Sequence, residues 1–429
     1  MFRTPQFSER VGSGNLDVFT FHNWSLFAKT TDQNVTETNY TEKQGGMQDT
    51  LKESQDDYAD IRPYTDAEVA SVLERLGRSD ELHRALIAYR FGHWPQWMQK
   101  KLVRLTAWQL RRHFAPVTTV DAFQAWLSHW INALVESTSS EVVITGLDQL
   151  DASQSYLWLS NHRDIAMDPT LIGYALMQSG WPTARIAIGD NLLGNSVLAD
   201  LMKLNKSFIV KRSINDRREK LREFQRLSGY IRHSLDHGHS VWLAQRQGRA
   251  KDNLDYTDTA VLKMLALSGR EEKISFIDTM SALRPVPVLV QFEWDPCDCL
   301  KARELVAREK GIPYEKRPGE DTESILTGLR GQKGRIRICF GQPLSEGNMT
   351  DADCMAQATD AEIESMKTYF PVNFAAVRLL QQDFGYSVPA SVVYPTDIEL
   401  PLNQLRARYH GQPDDVAVRL LKNYAAGLL

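Results

Sequence analysis

Between Val142 and Cys339 short β-type runs alternate with stretches of helical length, and this alternation limits the fold more than any other feature of the chain. The runs are Tyr156–Leu159, Arg185–Ile188, Ser207–Val210, Ser240–Ala244, Val286–Val290 and Arg335–Cys339. Strands spaced by helix-length segments need crossover connections, so the sheet is largely parallel and its faces are covered by helices. The sequence thus predicts an α/β core over 140–345. Residues 58–139 read as a helical domain, because Asp66–Leu73 opens with an acidic first turn and Ala122–Leu134 repeats apolar residues at helical spacing. After about Thr350 the helical pattern returns, most clearly over Ala361–Gln382 and Pro413–Leu428, which makes 346–429 a helical C-terminal extension. Residues 1–57, rich in Thr, Asn, Gln, Ser and Gly without an apolar period, predict a flexible leader.

Composition narrows the function classes. At 429 residues and 42% hydrophobic the chain can bury a sizeable core, and a formal net charge of -4 argues against a nucleic-acid binder that works by global basicity. Cys297, Cys299, Cys339 and Cys354 form neither a disulfide framework nor a zinc spacing, which suits a reducing cytosol and free thiols. No run of eighteen apolar residues and no secretory signal is visible, so the expected location is cytoplasmic, with any membrane contact peripheral and on the inner face.

The segment after the first of these runs, Ser160-Asn161-His162-Arg163-Asp164-Ile165-Ala166-Met167-Asp168-Pro169, carries chemistry. Asp168 followed by Pro169 is a helix-start signal, with Asp168 as N-cap, so His162 falls in a strand-to-helix loop, where open α/β sheets bind ligands. A histidine oriented by a carboxylate can take a proton from an attacking hydroxyl, which is two-thirds of a hydrolase triad with the substrate's alcohol in place of serine. On spacing alone the plainer account, a capping Asp168 and a loop-filling His162, is the stronger one.

Four segments in order change that balance. They are Asn161-His162 through Asp168, Asn205-Lys206-Ser207-Phe208-Ile209-Val210-Lys211-Arg212, Ala244-Gln245-Arg246-Gln247-Gly248-Arg249-Ala250-Lys251, and Arg284-Pro285-Val286-Pro287-Val288. Over roughly half the chain this series resembles the glycerolipid acyltransferase superfamily, which includes glycerol-3-phosphate and 1-acylglycerol-3-phosphate acyltransferases. The resemblance implies a glycerol-3-phosphate acyltransferase-like fold and an O-acyltransferase. His162 would be the general base, and Asp168, or Asp164, its partner, since the family's histidine and aspartate are separated by four residues and His162 and Asp168 by five. Lys206, Lys211, Arg212, Gly248, Arg249 and Lys251 would hold the acceptor phosphate. Gln247 stands where the family has glutamate. The implied acceptor is lysophosphatidate, with glycerol 3-phosphate next, and the implied donor is an acyl-CoA or acyl-carrier-protein thioester. No metal and no cofactor beyond that co-substrate is implied.

From His83 to Val120 the chain has Arg84, Arg90, Lys100, Lys101, Arg104, Arg111 and Arg112 and no acidic residue, interleaved with Trp94, Trp97 and Trp108. Such a segment suits an anionic membrane surface, or else a core-packing helix with a solvated basic face. Other readings fare worse. His162-Arg163-Asp164 and Asp383-Phe384-Gly385 imitate kinase motifs, but Pro169 stands where a kinase needs asparagine and no Gly-rich loop lies upstream. A lipid thioesterase or hydrolase could use the same histidine without the phosphate-binding cations, and a non-catalytic lipid-binding relative would account for Gln247.

Overall fold

The computed structural model describes residues 57–429 apart from 92, 93, 316 and 318, so the expected leader lies outside the described residues except at its last position. Four helices come first: α1 (Asp66–Gly77), α2 (Asp80–Phe91), α3 (Gln96–Phe114) and α4 (Val120–Thr138). Glu68 begins α1 by accepting the Thr65 backbone N–H at 2.8 Å, an N-terminal box that satisfies a donor the helix itself cannot. Val69, Val72, Leu73 and Leu76 recur at helical spacing and pack with Leu110, Phe114 and Phe123, and with Leu204 of α6 (Ser196–Leu204).

The six expected runs are strands, with ends that differ by at most two residues: β2 (Leu157–Ser160), β3 (Arg185–Gly189), β4 (Ser207–Val210), β5 (Val241–Ala244), β6 (Pro285–Phe292) and β7 (Gly334–Phe340). A seventh, β1 (Ser139–Thr145), forms an edge and is only half-buried, which is why its sequence is not an apolar run. The sheet order is β1-β7-β6-β2-β5-β3-β4. Strands β2 to β6 are mutually parallel, β7 runs against β6, and β1 follows β7, so the sheet is mixed and mostly parallel. Successive residues of β2 serve opposite faces: Leu157 and Leu159 enter one core layer and Trp158 the other.

Two prolines inside β6 are accommodated by its pairing. The N–H groups of Leu157 and Asn161 bond the carbonyls of Arg284 and Val288, so the even-numbered residues of β6 are those that pair with β2. Pro285 and Pro287 therefore turn their missing donors to the other side, where β7 joins only from Val288 onward.

Helices α5 (Met167–Gln178), α6, α7 (Arg217–Asp236), α8 (Thr259–Leu265), α9 (Phe276–Leu283), α10 (Asp298–Glu309) and α11 (Glu320–Arg330) lie between the strands. The C-terminal part is α12 (Ala352–Met366), α13 (Pro371–Phe384), α14 (Glu399–Tyr409) and α15 (Asp414–Ala425). The single helix expected over Ala361–Gln382 is in fact two. Pro371 has no N–H and disfavours helical geometry in the residue before it, and Phe370 is accordingly extended, at ψ 159°. Asp383-Phe384-Gly385 is the end of α13: Gly385 closes it at φ 70°, and Asp383 pairs with Arg406 and Tyr409. Among the described residues, no helix is long and apolar enough to cross a membrane.

Candidate active site

His162 sits in the loop between β2 and α5, at the carboxyl end of the parallel strands. Its Nδ1 lies 2.8 Å from Oδ2 of Asp168. That same oxygen accepts the backbone N–H groups of Arg163 at 2.6 Å and Asp164 at 2.9 Å, so the carboxylate gathers the whole loop around the ring. Asp168 is completely buried and its Oδ1 has no hydrogen-bond partner. A carboxylate on Nδ1 selects the tautomer with its proton there and leaves Nε2 as the acceptor. Nε2 has no hydrogen bond to any described residue, and the side chain is 16% exposed. The indole of Trp242 stands edge-on behind it, 6.0 Å between ring centroids. Ser160 is not an available nucleophile, because its buried hydroxyl donates to the Asn161 carbonyl and accepts from Trp242 Nε1.

The helix start differs from expectation. α5 begins at Met167, not after Asp168, and the donors at its start are met by Asp164, whose Oδ1 accepts from Ala166 and Met167 at 3.0 and 2.9 Å. Asp164 is therefore the capping carboxylate, and Asp168, one residue inside the first turn, is free to reach back to the ring. Burial pushes the Asp164 carboxyl up, the neighbouring Asp168 adds to this, and Lys301 opposes it.

The cations named from the sequence do not form one set. Lys206 precedes β4, at the opposite end of the sheet from His162, and pairs with Asp121 and the Thr183 hydroxyl at 2.9 and 3.1 Å; it cannot serve this site. Lys211 is held by Asp60 and Glu223, 2.8 and 3.2 Å away. Lys251 forms an ion pair with Glu304 of α10. Gly248 is the exposed tip of its loop at φ 79°, where glycine is needed for the turn itself. Arg212 does lie at the carboxyl end of the strands, against the backbone of Gly189 at the end of β3. Arg249 has a buried Nη1 without a partner. Its loop is pinned onto the histidine by the hydrogen bond from Ala250 N to the His162 carbonyl, 2.7 Å.

Sequence reasoning missed Arg246. Its Nε and Nη1 are buried without partners, and its guanidinium lies 4.1 Å from the centre of the Tyr256 ring. The signal was present in the Gln245–Lys251 block as a third cation, two residues before Gly248. Guanidinium N–H groups without partners, on a loop hydrogen-bonded to the one that carries an unpaired imidazole nitrogen, suit an anion that also carries a hydroxyl. An apolar crevice between α4 and α5 reaches Trp242 from the other side, lined by Leu127, Ile131, Ile172, Gly173 and Met177, with about 20 Å³ of free space.

Residues 141–248 match the family described as Acyltransferase, a span that contains the His162 loop, Arg212 and Arg246. No curated protein is significantly similar to the chain in sequence. Among solved structures, the chain is similar to the 1-acyl-sn-glycerophosphate (LPA) acyltransferase PlsC from Thermotoga maritima, at 11% identity over 69% of this chain and 92% of that one, with a TM-score of 0.37. The chain thus carries, over residues 141–248, a domain of acyltransferase type.

Proposed function

We propose that the protein transfers a fatty acyl group from an acyl-CoA or acyl-carrier-protein thioester to the hydroxyl of lysophosphatidate. The observation that carries this reading is a His162 Nε2 without a hydrogen bond, in a loop pinned to the segment that bears Arg246 and Arg249, whose guanidinium groups keep buried N–H groups without partners. The arginines hold the acceptor phosphate. Nε2 takes the hydroxyl proton as the oxygen attacks the thioester carbonyl, and Asp168 stabilises the imidazolium that forms. The tetrahedral intermediate then expels the thiolate, which recovers the proton from Nε2. The acyl chain enters the α4–α5 crevice, which has room for about one water and must widen to admit it.

Lysophosphatidate is favoured over glycerol 3-phosphate by the outer face of α3. Trp97, Lys101, Arg104, Leu105, Trp108 and Arg112 share one side of that helix, and the two tryptophans are 60% and 53% exposed. Lys101 lies over Trp97 and Arg112 over Trp108, 5.2 and 5.6 Å from the ring centres. Exposed indoles flanked by cations suit an anionic bilayer surface, where a lipid acceptor resides and a water-soluble one does not. The protein would then work in the cytoplasm as a peripheral protein on the inner face of a membrane.

The deciding assay measures acyl transfer with both acceptors and both carriers, using wild type, His162→Ala and Asp168→Asn. Transfer to lysophosphatidate that both substitutions abolish supports the reading. Hydrolysis of the thioester with no acceptor product would replace it with a thioesterase.

A further inference from the structure

Both residues that flank His162 lean on one buried carboxylate. Arg163, on one side, donates from Nη2 to Oδ2 of Asp255 at 2.6 Å and from Nη1 to Oδ1 of Asn253 at 2.6 Å. Asn161, on the other side, places Nδ2 3.5 Å from Oδ1 of Asp255, while its Nδ2 and Oδ1 also bond the backbone of Val290 in β6 at 3.1 and 2.9 Å. Asp255 is 2% exposed at its side chain and meets a second cation, Lys367, at 3.4 Å. Burial would push its carboxyl up, but Arg163 and then Lys367 hold it below the usual carboxylate range.

The supports come from far along the chain. Lys367 closes the end of α12, and Nδ2 of Asn253 bonds the Asn423 carbonyl in α15 at 2.8 Å. Asn253 holds a left-handed backbone at φ 60°, a conformation a non-glycine residue keeps only when its surroundings enforce it. All four residues, Asn253, Asp255, Lys367 and Asn423, lie beyond residue 248.

Asp255 has no bond to His162 itself. It fixes the side chain of Arg163, and the backbone N–H of Arg163 is one of the three donors on Oδ2 of Asp168, the oxygen that holds Nδ1. We propose that Asp255 is a positioning residue for the reaction, which, braced by Lys367 and Asn253, sets the geometry of the His162–Asp168 pair through Arg163 and Asn161. The inference rests on the proposed function for its kinetic readouts only.

The test compares Asp255→Asn and Lys367→Met with wild type. Asp255→Asn should lower kcat by about tenfold or more, with KM for both substrates within about twofold. It should also shift or abolish the far-downfield proton resonance of His162 Nδ1–H, assigned by its absence in His162→Gln. The acid limb of kcat/KM should move in opposite directions. Removing the Asp255 charge leaves excess positive charge near the ring, favours neutral imidazole and moves the limb to lower pH; removing the Lys367 charge moves it to higher pH. The other charges about the loop are common to all variants: Asp164 and Asp168, Arg246 and Arg249 on the loop after β5, Asp295, Lys301 and Lys333 below, and Asp360 and Glu364 beside Lys367.

An unchanged resonance and limb in folded Asp255→Asn, or a loss of kcat that matches the unfolded fraction by circular dichroism, overturns the proposal. Where Asp255→Asn does not fold, Lys367→Met decides, and an unmoved limb overturns it. If wild type transfers no acyl group to any acceptor, the proposed function fails while the resonance still decides the role of Asp255.

Discussion

Oδ2 of Asp168 lies 2.8 Å from Nδ1 of His162 across five intervening residues, and it also binds two backbone N–H groups of the loop between them. One oxygen therefore sets both the ring tautomer and the loop conformation. His162→Ala should lower kcat about 10²–10⁴-fold, the usual contribution of a general base, and lower the melting temperature less than a change at Asp168, because Oδ2 keeps its two backbone donors. Asp168→Asn should lower kcat over the same range and also lower the melting temperature, since three donors lose a charged acceptor. Parallel activity assays and thermal melts check both.

Arg246→Ala and Arg249→Ala should each raise KM for a phosphate-bearing acceptor by roughly 10–100-fold, the worth of a charge-assisted hydrogen bond, and leave KM for the thioester largely unchanged. Lys206→Ala should leave both constants near wild type, because Lys206 lies at the far end of the sheet. Equal effects from Lys206 and Arg246 in steady-state kinetics would contradict this placement.

These placements show how much was legible beforehand. The strands of the core could be read because both sheet faces are buried, so each strand is an apolar run. His162 and its partner could be read because they stand close in sequence, one in the loop and the other in the first turn of the helix it leads into. Lys206 and Lys211 stand at either end of the same four-residue strand, and no local pattern says which end faces the site; the sheet's direction decides it. Asp168 with Pro169 reads as a helix start because Asp-Pro usually opens a helix, whereas α5 begins at Met167 and the Asp164 carboxylate accepts the N–H groups there while Asp168 is drawn to the ring. Asp255 and Lys367 leave no trace near the motif, since their partnership with Arg163 exists only after folding.

Lys333 is completely buried, and its ammonium donates to the Gly331 carbonyl at 2.9 Å. Burial pushes it down from an ordinary value near 10.5 to about 8, against the pull of Asp164 and Cys297. A base whose folded pKa is depressed disfavours the folded state fully below about 8, and that penalty fades as pH rises toward 10.5, because the unfolded chain then binds the extra proton. Wild-type stability should therefore rise relative to Lys333→Met across that window, by roughly 2–3 kcal/mol at most. Urea unfolding of both proteins at pH 7 and pH 9.5 checks this; parallel pH dependences would contradict it.

Gly328 in α11 leaves room for Asp164: a Cβ built there would lie 2.2 Å from its Oδ2. Gly328→Ala should destabilise the protein by about 1–3 kcal/mol and lower kcat, because a displaced Asp164 disturbs both the start of α5 and a donor to Asp168. A thermal melt paired with the acyl-transfer assay measures both, and wild-type values for each would contradict it.

Trp97→Ala with Trp108→Ala should weaken binding to anionic vesicles roughly tenfold or more, with an unchanged melting temperature because both indoles are largely exposed. Lys101→Glu with Arg112→Glu should remove the preference for anionic over neutral lipid. Flotation with vesicles of both compositions checks the pair, and indifference of wild type to lipid charge would remove the membrane surface from the proposal.

The pairing of Ser139 in β1 with Gly334 in β7 has a bearing on synthesis. A ribosome releases β1 long before β7, its neighbour among the described residues, and β6 reaches its antiparallel mate later than its parallel one, so the nascent chain must carry open hydrogen-bonding edges until about Phe340 has emerged. Recombinant fragments that stop at residue 248 will therefore be prone to aggregate, and translation of the last third of the chain is what closes the sheet.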